Sequence, residues 1–276
     1  MNVEILSPHG FCAGVVAALK KAFAVKGRKI YGLHELVHNE IVAERLVARG
    51  FVFVETLDEV PDGATVLFSA HGTSPAVRSE AARRNLDVID ATCPFVAKVH
   101  KAVRDFAERG LEIVVIGHAD HAEVKGIVGE APAGKVRTAT ADTLDAIAEE
   151  LASRGVESIA VVSQTTMNSD EVAAMVARLK ERFNVNTTAE VCHATKERQD
   201  AVKAFDGDAI LVLGSARSSN TNRLCEVARV KAFRAGTMDE VRRIDFSGIR
   251  RLGVTGGAST PEDFLDEVVL YLRGLK

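Results

Sequence analysis

The chain predicts an α/β fold with mainly parallel sheets, and three observations carry that prediction. Short β-rich runs alternate with amphipathic runs from end to end of the 276 residues. Glycines at 50, 110 and 155 stand just past three amphipathic runs, where a left-handed helix cap is needed. Pro75, Pro94 and Pro261 stand where a first helical turn begins, the one place in a helix that tolerates proline. In chain order the predicted strands are Val3–Leu6, Phe51–Val54, Thr65–Phe68, Val88–Ile89, Glu112–Ile116, Ser158–Val162, Asp208–Leu213 and Arg251–Val254. The predicted helices are His38–Arg49, Val96–Arg109, Thr143–Arg154, Asp170–Arg182 and Pro261–Leu272.

Composition narrows the class. With 47% hydrophobic and 26% charged residues, the chain can bury a substantial core. A net charge of −3 argues against a nucleic-acid surface. No apolar run approaches the ~18 residues of a membrane helix. The first residues, Met1-Asn2-Val3-Glu4-Ile5-Leu6, lack the basic start and long apolar stretch of a secretory signal. Four cysteines are too few for a disulfide scaffold, and none forms a local CxxC pair. The expectation is a cytoplasmic protein with reduced thiols that serve as metal ligands, nucleophiles or core residues.

Cys12, Cys93 and Cys192 each follow a short strand and directly precede a helical run, 81 and 99 residues apart. This spacing suits three α/β units that each give one cysteine from a strand-to-helix turn. A thiolate there is favoured by free backbone N–H groups and the helix dipole. Three converging thiolates suit an iron–sulfur cluster or a zinc ion, and buried structural thiols are the plainer alternative. Cys225 lies inside a helical run and reads as core.

Open α/β sheets bind ligands beyond the carboxyl ends of their strands, and the loops there are polar and small. They include Ser69–Gly72, Gly117–Glu123, Ser163–Thr166, Gly214–Asn220 and Thr255–Ser259. His34, His38, His71, His118 and His121 cluster in or beside such loops. Ser218, Ser219 and Asn220 offer hydroxyl and amide donors where a helix starts, either as an anion site or as an N-cap. Ser259, after Gly256-Gly257, is placed to do the same. Glu123 is either a general acid or a solvated glutamate of a first helical turn. Neither GxxxxGK[ST] nor a complete GxGxxG after a strand is present, so neither a P-loop nor a dinucleotide site is indicated.

Taken together the loops resemble one family. The matching pieces are Gly10–Val15, Val37–Asn39, Ser69–Gly72, Asp90–Pro94, Gly117–Glu123, Gln164–Thr166, Cys192–Thr195, Ser218–Arg223 and Gly253–Ser259. In register over nearly the whole chain, they are similar to the motifs of the 4-hydroxy-3-methylbut-2-enyl diphosphate reductases, the IspH/LytB family.

The resemblance implies three similar α/β domains with mainly parallel sheets around a central iron–sulfur cluster. The expected domains are residues 13–93, 94–191 and 192–276, with the N-terminal strand of residues 1–12 packing centrally. It implies a [4Fe-4S] cluster on Cys12, Cys93 and Cys192 with one open iron. His38, His71, His121, Ser218, Ser219, Asn220 and Ser259 match the residues around the diphosphate. Thr165, joined by Thr166, matches the threonine near the substrate hydroxyl, and Glu123 matches the proton donor.

The implied reaction is reductive removal of that hydroxyl, giving isopentenyl and dimethylallyl diphosphate, the last step of the methylerythritol phosphate route to isoprenoids. The implied partners are the small allylic diphosphate and an electron carrier such as ferredoxin or flavodoxin, with no nucleic acid and no membrane. Departures stand at Val16-Ala17, where the family commonly has Asp-Arg, and at His9 and His193. Two rival readings are a zinc hydrolase using His118, Asp120, His121 and Glu123, and a non-catalytic iron–sulfur sensor on the same fold.

Overall fold

The computed structural model describes residues 1–25, 29–188 and 190–275. Residues 26–28, 189 and 276, which fall within the expected first, second and third domains, lie outside the described residues. The first half of the chain runs β1 (Asn2–Ile5), α1 (Ala13–Ala24), β2 (Ile30–Leu33), α2 (Glu40–Val47), β3 (Phe51–Val54), β4 (Thr65–Phe68), α3 (Pro75–Arg83), β5 (Asp87–Asp90), α4 (Pro94–Glu108), β6 (Glu112–Ile116) and α5 (Ala122–Val128). The second half runs β7 (Val136–Ala139), α6 (Leu144–Ser153), β8 (Ser158–Ser163), α7 (Ser169–Lys180), β9 (Asn184–Thr187), α8 (His193–Ala204), β10 (Ala209–Leu213), α9 (Ser219–Val227), β11 (Lys231–Ala235), α10 (Met238–Arg243), β12 (Arg251–Gly256) and α11 (Glu262–Gly274). No helix among the described residues is long and apolar enough to cross a membrane.

Among the described residues the strands form three four-stranded sheets in the orders β3-β2-β4-β5, β7-β6-β8-β9 and β11-β10-β12-β1. The pairings of β2, β4 and β5, of β6 to β9, and of β1, β10, β11 and β12 are parallel. The chain divides into two compact units. One comprises residues 1–17, 37–51 and 193–276 and holds the third sheet. The other comprises residues 18–36 and 52–192 and holds the first two. The N-terminal strand pairs with β12 at the edge of the third sheet, Val3 opposite Leu252.

Parallel strands covered on both faces read as continuous apolar runs, and β10 and β6 are buried at every residue. The period of two splits each between two cores. Ala209, Leu211 and Leu213 join the cluster with Val268 and Leu272 of α11, while Ile210 and Val212 pack with Val202 and Leu224. Likewise Val114 and Ile116 face Leu151 and Met175, while Ile113 and Val115 face Val103 and Ile127. Truncating one such buried Leu or Ile to Ala costs about 2–5 kcal/mol.

Gly110 and Gly155 have φ of 76° and 73°. Their N–H groups bond Ala107 O and Ala152 O, and the next N–H groups bond Phe106 O and Leu151 O, closing the last turns of α4 and α6 as Schellman caps. Pro75 and Pro94 begin α3 and α4 as expected, whereas Pro261 is the cap residue before α11. Four strands escape the sequence pattern. Three, β7, β9 and β11, lie at sheet edges and are mostly half-exposed, so polar residues interrupt them. The fourth, β2, is central in its sheet but contains Gly32, where a Cβ would lie 2.6 Å from the Phe53 ring.

Candidate functional site

The three sheets deliver their cysteines in the same way. In each, an edge strand leads to the cysteine: β1 to Cys12, β5 to Cys93, β9 to Cys192. A helix starts at the next residue. Each cysteine N–H donates, at 3.0 Å, to a carbonyl in the loop after the neighbouring strand: Ala258 after β12, Ala70 after β4, Thr165 after β8. The expected strand–cysteine–helix turn is therefore present three times. None of the four cysteines is in a disulfide. The Val15 N–H points at Cys12 Sγ from 3.5 Å. Cys225 differs: it packs against the apolar core beside β10, and burial pushes its thiol up to about 11, which leaves it inert.

Within the unit of residues 18–36 and 52–192, the loops after β4, β6 and β8 bring together His71, His121, Glu123 and Thr165. His121 caps α5, its Nδ1 accepting the Glu123 N–H at 3.2 Å. That bond puts the proton of a neutral ring on Nε2, which makes it a donor. The His71 and His121 rings meet edge to face, with centroids 5.5 Å apart, and Ser69 Oγ lies 3.3 Å from His71 Nδ1.

Glu123 is 2% exposed, so it is not a solvated residue of a first helical turn. Its Oε1 accepts the Thr165 N–H at 2.6 Å and its Oε2 the Thr165 hydroxyl at 3.1 Å. Burial pushes its pKa up to about 7, outweighing both hydrogen bonds. One residue thus joins the carboxyl to a cysteine, since Thr165 donates to Glu123 and accepts from Cys192. Thr166 Oγ1 accepts from Gln164 Nε2 at 2.9 Å, and Gln164 Oε1 accepts the His118 N–H.

Within the other unit, Ser218 caps α9, accepting the Thr221 N–H at 3.3 Å, so the N-cap alternative holds for Ser218 itself. Ser219 and Asn220 form the first turn behind it. Asn220 is 4% exposed, and both polar atoms of its amide are buried without a hydrogen-bond partner. Such orphans cost about 1–3 kcal/mol each unless something occupies them. Ser259 Oγ donates to the His38 carbonyl at 3.3 Å, tying two of the expected diphosphate residues together.

Two supports have no signature in the sequence. Buried Arg198 on α8 donates to Gly10 O at 2.8 Å, beside Cys12. Glu40 accepts from Ser215 Oγ at 2.7 Å, at the base of the Gly214–Asn220 loop. Only spacing relative to the motifs, two residues past His38 and six past Cys192, could have pointed to them.

The zinc-hydrolase ligand set does not assemble. His118 and Asp120 are exposed, His121 Nδ1 already serves as a helix cap, and both Glu123 oxygens are held by Thr165.

The LytB protein family model matches residues 3–273. A 4-hydroxy-3-methylbut-2-enyl diphosphate reductase of Azoarcus sp. is 46% identical over 99% of this chain and 91% of its own. One from Azotobacter vinelandii is 44% identical over 99% and 90%. Among solved structures, the E-1-hydroxy-2-methyl-but-2-enyl-4-diphosphate reductase of Plasmodium falciparum superposes with a TM-score of 0.89 at 31% identity, covering 99% of this chain and 88% of that one. A second, described as the terminal enzyme of the non-mevalonate pathway, matches at 0.69 and 30%, covering all of both chains. With three cysteine turns of one construction, and a match that spans every sheet, this chain belongs to the LytB protein family.

Proposed function

We propose that the chain is an iron–sulfur oxidoreductase that converts 4-hydroxy-3-methylbut-2-enyl diphosphate, two electrons and two protons to isopentenyl or dimethylallyl diphosphate and water. This is the last step of the methylerythritol phosphate route to isoprenoids. The observation that carries the reading is the Glu123–Thr165–Cys192 connection, which puts a carboxyl with a pKa near 7 one residue from a turn thiol. A sensor that never turns over has no use for such a group.

The residues fit a [4Fe-4S] cluster on Cys12, Cys93 and Cys192, leaving one iron open. The three thiols are in no disulfide, stand at equivalent turns and have their backbone N–H groups satisfied elsewhere. When bound, the cluster supplies electrons singly and a Lewis-acidic iron for an otherwise poor leaving group. Glu123, largely protonated below pH 7, gives a proton as the hydroxyl departs as water. Thr165 orients that carboxyl through two hydrogen bonds and lies beside the substrate hydroxyl, with Thr166.

The diphosphate is held by His38, His71, His121, Ser218, Ser219, Asn220 and Ser259. Such preorganised donors are worth most where water is excluded, and the orphaned amide of Asn220 gains the partner it lacks. Electrons arrive from a small carrier such as ferredoxin or flavodoxin. Four cysteines outside any disulfide suit a reducing cytoplasm.

The test is a Mössbauer spectrum of anaerobically prepared, iron-57-labelled protein with and without the hydroxylated C5 diphosphate. The expected result is a four-iron cluster with one distinct iron whose signal moves on adding substrate. Serine at position 12, 93 or 192 abolishes most of it, while Cys225→Ser does not. A protein without iron, or with equal loss in Cys225→Ser, overturns the ligand assignment. A cluster blind to substrate, with no product formed under a chemical reductant, overturns the activity.

A further inference from the structure

His100 lies on the buried face of α4, 3% exposed, and takes no part in the proposed chemistry. Its Nδ1 is 2.7 Å from Oε1 of Glu130, whose side chain is wholly buried. Arg104 binds the other carboxylate oxygen at 2.8 Å, and Arg78 binds Oε1. Burial pushes the Glu130 carboxyl up, but the hydrogen bonds from Arg78, His100 and Arg104 more than reverse this and hold it below the usual range. It is therefore an acceptor, and the His100 proton sits on Nδ1. Burial pushes the imidazole pKa down, which favours the neutral ring. The ring is fixed in one orientation, with its opposite edge facing away from the carboxylate.

That edge meets two glycines. A Cβ on Gly72 would lie 2.7 Å from His100 Nε2, and one on Gly126 would lie 3.1 Å from Cε1. The Nε2 atom is buried and makes no hydrogen bond. Gly72 has φ of 78° and directly follows His71. Gly126 lies in α5, the helix capped by His121 and carrying Glu123. The ring edge thus fills the gap between the loop that presents His71 and the helix that presents His121. Two further contacts hold the same joint. Arg78 of α3 donates to Thr73 O at 2.6 Å, and a Cβ on Gly129, the residue after α5, would lie 2.5 Å from Ser74 Cβ.

We propose that His100, held by Glu130, is a positioning residue that sets the spacing of His71 and His121 and hence the donors they offer to a diphosphate. The diphosphate rests on the proposed function above, while the spacing itself can be read without a ligand.

The experiment compares wild type, His100→Ala and Gly126→Ala as anaerobically prepared protein. It records the imidazole 15N–1H signals of His71 and His121, together with KM and kcat for the C5 diphosphate under a chemical reductant. Both variants should shift the two ring signals and raise KM about tenfold, the size of one weakened charge-assisted hydrogen bond. Because kcat should move far less, the loss is one of positioning rather than of chemistry. Gly126→Ala strengthens helix propensity while its Cβ presses on the ring, so it decides the matter if His100→Ala does not fold. Folded variants with a lower melting temperature but unmoved ring signals and KM overturn the proposal. If the wild type forms no product, the functional reading fails separately, and the ring signals alone decide the positioning.

Discussion

Glu123 in the first turn of α5 and Glu130 just past its end stand seven residues apart, and are 2% and 8% exposed. Burial acts on both in the same direction, yet they end in opposite states. Glu123 meets a backbone N–H and a hydroxyl, both from Thr165 and both neutral, and its pKa rises to about 7. Glu130 meets two guanidinium groups and an imidazole N–H, and its pKa falls below the usual value. The lesson is that partner charge, not depth, decides whether a buried carboxyl stores a proton or anchors a joint. A carboxyl that titrates near 7 can give and regain protons at working pH. One locked between arginines cannot, and its use is to hold α3, α4 and α5 in register.

The largest expected effect tests the first half of that contrast. Glu123→Gln fits the same space, since its Oε1 can accept the Thr165 N–H and its amide can donate to the Thr165 hydroxyl. Turnover should fall about 10²–10⁴-fold, the range for loss of a general acid, with the cluster spectrum unchanged. Wild-type kcat should decline above pH 7 as the donor loses its proton, and the variant should lose that break. Near-normal turnover in the variant would remove the proton role.

The same substitution carries a stability signature. The folded pKa lies above the unfolded one, so the native state binds more protons between about 4.5 and 7, and wild-type stability falls as pH rises through that window. The penalty at full ionisation is ~3 kcal/mol for a shift of this size. Glu123→Gln escapes it, so its advantage in urea midpoint should be near zero at pH 4 and reach a plateau above pH 7. A pH-independent gap would show that Glu123 is not raised.

Glu130→Gln should behave in the opposite sense. Its arginine partners are half-exposed, 38% and 43% for Arg78 and Arg104, so water replaces part of what the carboxylate gave. The cost at neutral pH should be about 2 kcal/mol. Since the native carboxyl is depressed, its contribution is present above about pH 4.5 and lost as pH falls through the folded value. Wild type and variant should therefore converge in acid. Convergence at high pH instead would reverse the assignment of the two glutamates.

Legibility from the sequence follows the same divide. The loops were readable because ligand chemistry needs particular side chains at particular turns, and Cys12, Cys93, Cys192 and Glu123 stand in such loops. The inner strands β6, β8 and β10 were readable because burial on both faces demands unbroken apolar runs. The edge strands β7, β9 and β11 were not, because half-exposed residues carry no period. Nor was the protonation of Glu123, which depends on Thr165 from 42 positions away. Glu130 gave no signal at all, its partners standing 26 to 52 positions distant. A buried hub assembled from two helices and the turn after a third looks, in one dimension, like any surface glutamate.

The smallest effect is the sharpest test of what keeps Glu123 near 7 rather than higher. The Thr165 hydroxyl bonds one carboxylate oxygen and lowers the pKa, opposing burial. Thr165→Val keeps the backbone N–H on the other oxygen and nearly the same volume, but removes this bond to the charged form. The window in which wild-type stability falls with pH should then extend upward by up to about one pH unit, a change of about 1.4 kcal/mol in the alkaline limit. Thr165→Ser retains a hydroxyl and should leave the window where it is. Read from urea midpoints across pH, this needs no substrate and no turnover. If Val and Ser give the same profile, the backbone N–H alone balances burial, and the hydroxyl is left to act on substrate.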